Sequence, residues 1–158
     1  MAIIILDNTV LSNFALVGQI DLLPMAFGPA LATVPQVLAE FDEGVSFGRV
    51  PTTDWHWLRL LQLSPDEKVL EQQLRRSLGE GESACLAVAV KRSAQVLTDD
   101  RRARRVAGEL GVAVSGTLGV LIRLVRAGQM DLPKADSIML DMVHHGYRSP
   151  VITLKDLI

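Results

Sequence analysis

Ile3-Ile4-Ile5-Leu6 is an apolar, β-branched run that stops abruptly at Asp7-Asn8-Thr9. A run of strand length without polar alternation is the pattern of a strand covered on both faces, as in a parallel sheet. Such a strand delivers a carboxylate, an amide and a hydroxyl to the carboxyl edge of the sheet. In open α/β folds the ligand crevice lies outside that edge. The question is then which other polar groups arrive beside Asp7.

Further along, apolar strand-like runs alternate with helical periodicity. Thr9 is expected to cap a helix to about Leu16, and a second stretch runs from Gln19 to Phe27. Ala30 to Val34 reads as a strand. Pro35 opens a helix to about Asp42 that ends at Gly44, since its missing N–H costs nothing in a first turn. Trp55 to Leu63 is ambiguous between strand and helical turn. Ser64-Pro65-Asp66-Glu67 starts a helix with carboxylates in its first turn. Glu80-Gly81-Glu82-Ser83 opens another, whose apolar body should be largely buried. Gln95 to Thr98 is a strand ending in Asp99-Asp100, Arg101 to Leu110 a helix, and Val112 to Val114 the last strand. Helices follow from Ser115 to Ala127 and from Asp131 to His144 or His145, with a short one capped near Ser149-Pro150. This alternation implies a mostly parallel sheet with helices on both faces. The 158 residues suffice for one domain with its own core.

The net charge of −2 gives no global attraction to nucleic acid or membrane, so a nucleic-acid partner must rest on a local patch. The lone Cys85 excludes an internal disulfide and fits a reducing compartment. With neither an apolar run of membrane-spanning length nor a signal-peptide pattern, a cytoplasmic location is expected.

Asp7 and the Asp99-Asp100 pair lie at strand ends that a parallel sheet brings to one edge. Glu40, and Glu80 or Glu82, lie on helices that can point there. Crowded carboxylates without matching cations repel one another and suffer on desolvation. A divalent cation removes the conflict, and Mg²⁺ or Mn²⁺ suits oxygen ligands. No His or Cys cluster favours zinc. Every acid also has a plain structural role open to it: Asp7 as a cap, Glu40 as a solvated helix acid, Glu80 and Glu82 as first-turn acids, Asp99 and Asp100 as a turn and a cap.

The segments Leu6 to Phe14, Val34 to Glu40, Gly79 to Ala84, Leu97 to Arg102 and Gly116 to Leu121 together resemble the PIN-domain family, in its toxin-like branch of short prokaryotic proteins. The resemblance spans nearly the whole chain. It implies a PIN-like α/β/α sandwich, a single domain over residues 1–158, and a Mg²⁺- or Mn²⁺-dependent endoribonuclease. It places Asp7 as the first-strand ligand, Glu40 in the second acidic position ahead of Glu43, and Glu82 in the third with Glu80 as rival. The fourth is Asp100 or Asp99. A common family pattern of Thr, any residue, Asp selects Asp100, and this branch often carries both. Asn8 and Thr9 would support Asp7 or a bound water. Ala84 departs from relatives that often carry another acid. The implied partners are RNA, a small antitoxin protein and a second copy of the chain, with no membrane.

Arg101, Arg102, Arg104 and Arg105 follow the acids directly and are candidates for RNA phosphates. Trp55 and Trp57 suit core or dimer packing better than base stacking, and His144 and His145 suit a helix end. Two rivals remain. One is a catalytically weak PIN-fold module that binds RNA or protein. The other is a phosphotransfer domain with Asp7 as nucleophile, disfavoured by the lack of a second Asp two residues on.

Overall fold

A computed structural model describes residues 2–158. The first strand, β1 (Ile4–Leu6), has all three side chains buried, as its unbroken apolar run requires. It lies at the centre of a five-stranded sheet. Its neighbours are β2 (Leu31–Thr33) and β4 (Gln95–Leu97), with β3 (Arg59–Leu60) outside β2 and β5 (Val114–Ser115) outside β4. All four pairings are parallel. Ile5 pairs with Ala32 on one side and Val96 on the other, so β1, β2 and β4 all end near one level.

The helices are α1 (Asn8–Leu16), α2 (Leu22–Phe27), α3 (Pro35–Ser46), α4 (Pro65–Leu74), α5 (Glu80–Arg92), α6 (Arg101–Glu109), α7 (Thr117–Arg126) and α8 (Leu132–His144). α3 and α4 pack on α5, while α2 and α8 pack on α7, and α1 touches both α3 and α8. α5 is buried over Ser83–Ala89, which is why its sequence lacks a polar stripe. One cluster of buried apolar side chains joins sheet and helices, including Ile5, Leu6, Phe14, Phe41, Leu86, Leu97 and Leu121. No helix among the described residues is long and apolar enough to cross a membrane.

The structure shifts several boundaries. Asp7, not Thr9, caps α1, because β1 ends at Leu6 and the helix starts without a loop. α3 runs through Gly44 to Ser46, since its apolar face, with Val37 and Phe41 buried, continues to hold it. The last strand falls at Val114–Ser115 rather than Val112–Val114, in register with Val96 and Leu97. The terminal turn is a 3-10 helix, Leu154–Leu157, capped by Thr153. Trp55 stacks edge-on against Phe41 and Trp57, partly buried on the core, so the tryptophans are packing residues.

One ion pair, a buried Glu67 with an exposed Arg92, lies away from the strand ends. Glu67 accepts from Arg92 Nε at 2.8 Å and Arg92 Nη2 at 2.9 Å, and its carboxyl is held down to about 2, chiefly by that guanidinium. The same Glu67 closes the capping box of α4 with Ser64.

Candidate metal centre

β1 hands over directly to α1, so Asp7 sits between the last strand residue and the first helical one. Its Oδ1 accepts from the Asn8 N–H at 2.8 Å and its Oδ2 from the Thr98 hydroxyl at 2.7 Å. The residue is only 2% exposed. Burial pushes its carboxyl up to about 6; the two hydrogen bonds oppose this, and the charges of Glu40 and Asp100 add to it.

Glu40 comes from α3. Its Oε1 accepts the Gly81 N–H at 2.8 Å, in the first turn of α5. A Cβ on Gly81 would overlap that oxygen, so the glycine is what admits the carboxylate. Glu82, on the same first turn, turns back to accept the Gly79 N–H at 3.1 Å in a capping box. Glu40 and Glu82 are both half-buried, and both carboxyls are raised, first by burial. Glu82 also feels Asp7 and Asp100, whereas Glu40 feels Glu82, Glu80 and Glu43. Asp100 caps α6 through the Ala103 N–H at 2.8 Å. Thr98 links the two strand ends: its hydroxyl donates to Asp7 and accepts the Asp100 N–H at 3.2 Å.

Asp99 is held differently. Its Oδ1 accepts the Thr117 N–H at 2.9 Å, and its Oδ2 accepts Asn13 Nδ2 at 3.0 Å and the Thr117 hydroxyl. It thus serves α7 as a cap supplied from another element, where Gly116 offers no side chain of its own. Asp100 is among the leading charges that raise Asp7 and Glu82. Glu80 is exposed and adds to Glu40 only. Thr9, expected beside Asp7, instead accepts the Asp99 N–H at 3.0 Å.

Beneath the acids, the Cys85 thiol is fully buried and pushed well above its ordinary value, by burial first and then by Asp7, Glu40 and Glu82. It points to the Leu6 carbonyl, its sulfur 4.0 Å from that oxygen. Ala84 is buried in the core.

A cleft of about 730 Å³ opens beside the acids, lined by Thr9, Gly79, Glu82, Asp99, Asp100, Arg101 and Arg102 among others; Asp7 does not line it, and Glu40 lines a separate cavity with Asn8 and Glu43. Arg102 Nη1 is tied to the Ser77 carbonyl at 3.1 Å. Arg105 lines neither this cleft nor the cavity beside it, because it lies a full turn beyond Arg101 on α6. His144 and His145 are exposed at the end of α8.

The donor chemistry suits a hard divalent cation: all candidates are carboxylates, and Asp7 is a buried one whose charge no cation compensates. Glu40, Glu82 and Asp100 each use one oxygen on a backbone N–H and keep the other free of protein donors. Among the described residues, no three such side chains are gathered closely enough to hold an ion as they stand. Repulsion and the capping bonds keep them apart.

A five-stranded, all-parallel α/β sheet flanked by helices, with acids at its strand ends, is a PIN-like fold. The family model described as DUF3368, PIN domain, matches residues 3–158, and the chain belongs to that family. PIN domains are generally nucleases that act on nucleic acid and typically use divalent metals. A solved structure, that of PAE2754 from Pyrobaculum aerophilum, shares the fold with a TM-score of 0.57 at 19% identity, covering 80% of this chain and 99% of its own. No curated protein matches the sequence.

Proposed function

We propose that residues 1–158 form a single PIN domain acting as a Mg²⁺- or Mn²⁺-dependent endoribonuclease, the toxin of a toxin–antitoxin pair. The observation that carries this reading is the buried, uncompensated Asp7 carboxylate, raised to about 6, with Glu40, Glu82 and Asp100 coupled to it at one sheet edge. Asp7, Glu40, Glu82 and Asp100 would hold the cation. When bound, it would supply water activation and charge stabilisation at a phosphate.

The reaction is in-line attack of water on a phosphodiester, with the bond to the 3′-oxygen breaking. Asp7 is the fixed corner, locked by Asn8 and Thr98. Glu40, Glu82 and Asp100 each keep one oxygen off their backbone tether, and these oxygens would have to turn toward Asp7 to hold the cation. Arg101 and Arg102 offset the acids' repulsion of the RNA backbone. Asp99 acts as the positioning residue that seats α7 beside the site.

The toxin role, a small protein antitoxin covering the cleft, a homodimer and a cytoplasmic setting follow from the resemblance to short prokaryotic PIN proteins. A second reading, a catalytically weak PIN module, is favoured by the ungathered acids and by Ala84. RNA cleavage by wild type and Asp7→Asn, in Mn²⁺ and in EDTA, decides between them. The proposal expects cleavage in Mn²⁺ only, abolished by the substitution. Activity that survives EDTA or Asp7→Asn overturns it.

A further inference from the structure

Beside the acid cleft lies a second cavity of about 480 Å³. The two share Asp99, Arg101 and Arg148 on their common rim. Beyond the rim the second cavity is lined by Arg104, Tyr147, Gly116, Gly119 and Ile122. This combination fits a single unpaired nucleotide: cationic groups at the mouth, a ring on the wall, small residues and an aliphatic side chain inside. Its volume is that of an ordinary small-ligand pocket.

The charges support an anionic occupant. Three guanidiniums, Arg101, Arg104 and Arg148, face one carboxylate, Asp99, whose oxygens are already taken by Asn13 and Thr117. Arg104 is braced by Nη1 on the Thr98 carbonyl at 2.9 Å, so it is held at the wall rather than free in solvent. Tyr147 is half-buried, and its phenol is raised well above the ordinary range, by burial first and then by Asp99. It therefore remains a neutral ring with a hydroxyl donor, suited to stacking on a base. Gly116 and Gly119 at the start of α7 line the cavity, and a Cβ on them would overlap Asp99 and Ser115 respectively, so the wall there is tightly packed.

We propose that this second cavity receives the base of the nucleotide next to the scissile phosphate, stacked on Tyr147, with Arg101 and Arg148 holding its phosphate on the rim. This rests on the ribonuclease reading and adds to it a requirement for single-stranded RNA, since a paired base cannot turn into the cavity. Arg148 becomes a binding residue that no acidic motif announces.

The test uses a fluorescein-labelled, unstructured RNA 12-mer. Binding is read by anisotropy in EDTA, cleavage in Mn²⁺, and the oligomer is scanned with single abasic nucleotides. Wild type should bind at least 10-fold more tightly than Arg148→Gln or Tyr147→Leu, and Arg148→Gln should lower the slope of log K against log salt by about one. One abasic position next to the cut should weaken wild type and leave Tyr147→Leu unchanged. Arg148 is exposed, so Arg148→Gln carries the test alone if Tyr147→Leu fails to fold. Wild type that cuts RNA while both variants match it in affinity and abasic profile overturns the subsite and leaves the ribonuclease reading intact. Wild type that neither binds nor cuts overturns the ribonuclease reading itself.

Discussion

Two of the α-helices in this molecule begin on a carboxylate borrowed from another element. α5 places the Gly81 N–H on Glu40 at 2.8 Å, and α7 places the Thr117 N–H on Asp99 at 2.9 Å. In each case a glycine makes room: a Cβ on Gly81 would overlap Glu40, and one on Gly116 would overlap Asp99. Both arrangements use the same attraction of a carboxylate to the positive end of a helix. They differ in what is left over. Asp99 accepts from three donors and engages both oxygens, whereas Glu40 accepts from one and keeps Oε2 free. Glu40 also lies among acids that raise it, and Asp100 is among the leading charges that raise Asp7 and Glu82. A helix terminus can consume an acid as a cap or hold it in readiness; Asp99 and Glu40 differ in the donors they accept from, and Asp7, which also engages both oxygens, differs from Asp99 in being buried.

The neighbouring Asp99 and Asp100 sharpen this most strongly. Asp100→Asn should lower the rate of RNA cleavage at least 100-fold, because it neutralises a carboxylate proposed to hold the cation. Asp99→Asn should lower it less than 10-fold and act mainly on stability, at about 1–3 kcal/mol, through the disturbed cap of α7. Rates in Mn²⁺ and denaturant midpoints of both variants check this. Reversed activities would make Asp99 the ligand.

Gly81→Ala breaks the other half of the comparison. The clash is with the end of the flexible Glu40 side chain, so Glu40 can swing away while the helix gains up to about 1 kcal/mol in propensity. Cleavage should fall about 10-fold or more while the melting temperature holds or rises. A parallel loss of stability and activity would mean that Gly81 is needed for the backbone rather than for Glu40.

The other effect is on pH. Folded Asp7 titrates near 6 and the unfolded group near 3.8, so the native state binds more protons between those values. Its contribution is complete below about 3.8 and is lost as pH rises through about 6, at a cost of up to about 3 kcal/mol. Glu67 runs the other way: its contribution is present above 4.5 and is lost as pH falls through about 2. In EDTA, stability should therefore fall from pH 4 to pH 7. Asp7→Asn should flatten that limb and leave the acid limb in place. Parallel profiles for the two proteins would contradict the burial cost assigned to Asp7.

The central strand and its terminal acid were legible in the sequence because Ile3–Leu6 is unbroken and Asp7 follows without a spacer. The alternation of strands and helices likewise led to the parallel sheet. The choice between Asp99 and Asp100 was not legible: both follow the same strand, and the donors that consume Asp99 come from Asn13 and Thr117, remote in sequence. Thr98 figured in the sequence only as the first residue of the Thr, any residue, Asp pattern, although a hydroxyl directly before the acids was a signal that it could bridge strand ends. Tyr147 and Arg148 had no signal, since only the return of the chain after α8 brings them to the cleft. The Glu67–Arg92 pair was equally hidden, its members lying on separate helices.

Titration calorimetry with Mn²⁺ on wild type, Glu40→Gln and Asp99→Asn tests the division between held and consumed acids most directly. Glu40→Gln keeps an oxygen for the Gly81 N–H and removes only the charge. Wild type should bind Mn²⁺, Glu40→Gln should bind it at least 10-fold more weakly, and Asp99→Asn should bind it within a factor of three of wild type. Equal binding by wild type and Glu40→Gln, or its loss in Asp99→Asn, would contradict the assignment of the metal to Asp7, Glu40, Glu82 and Asp100.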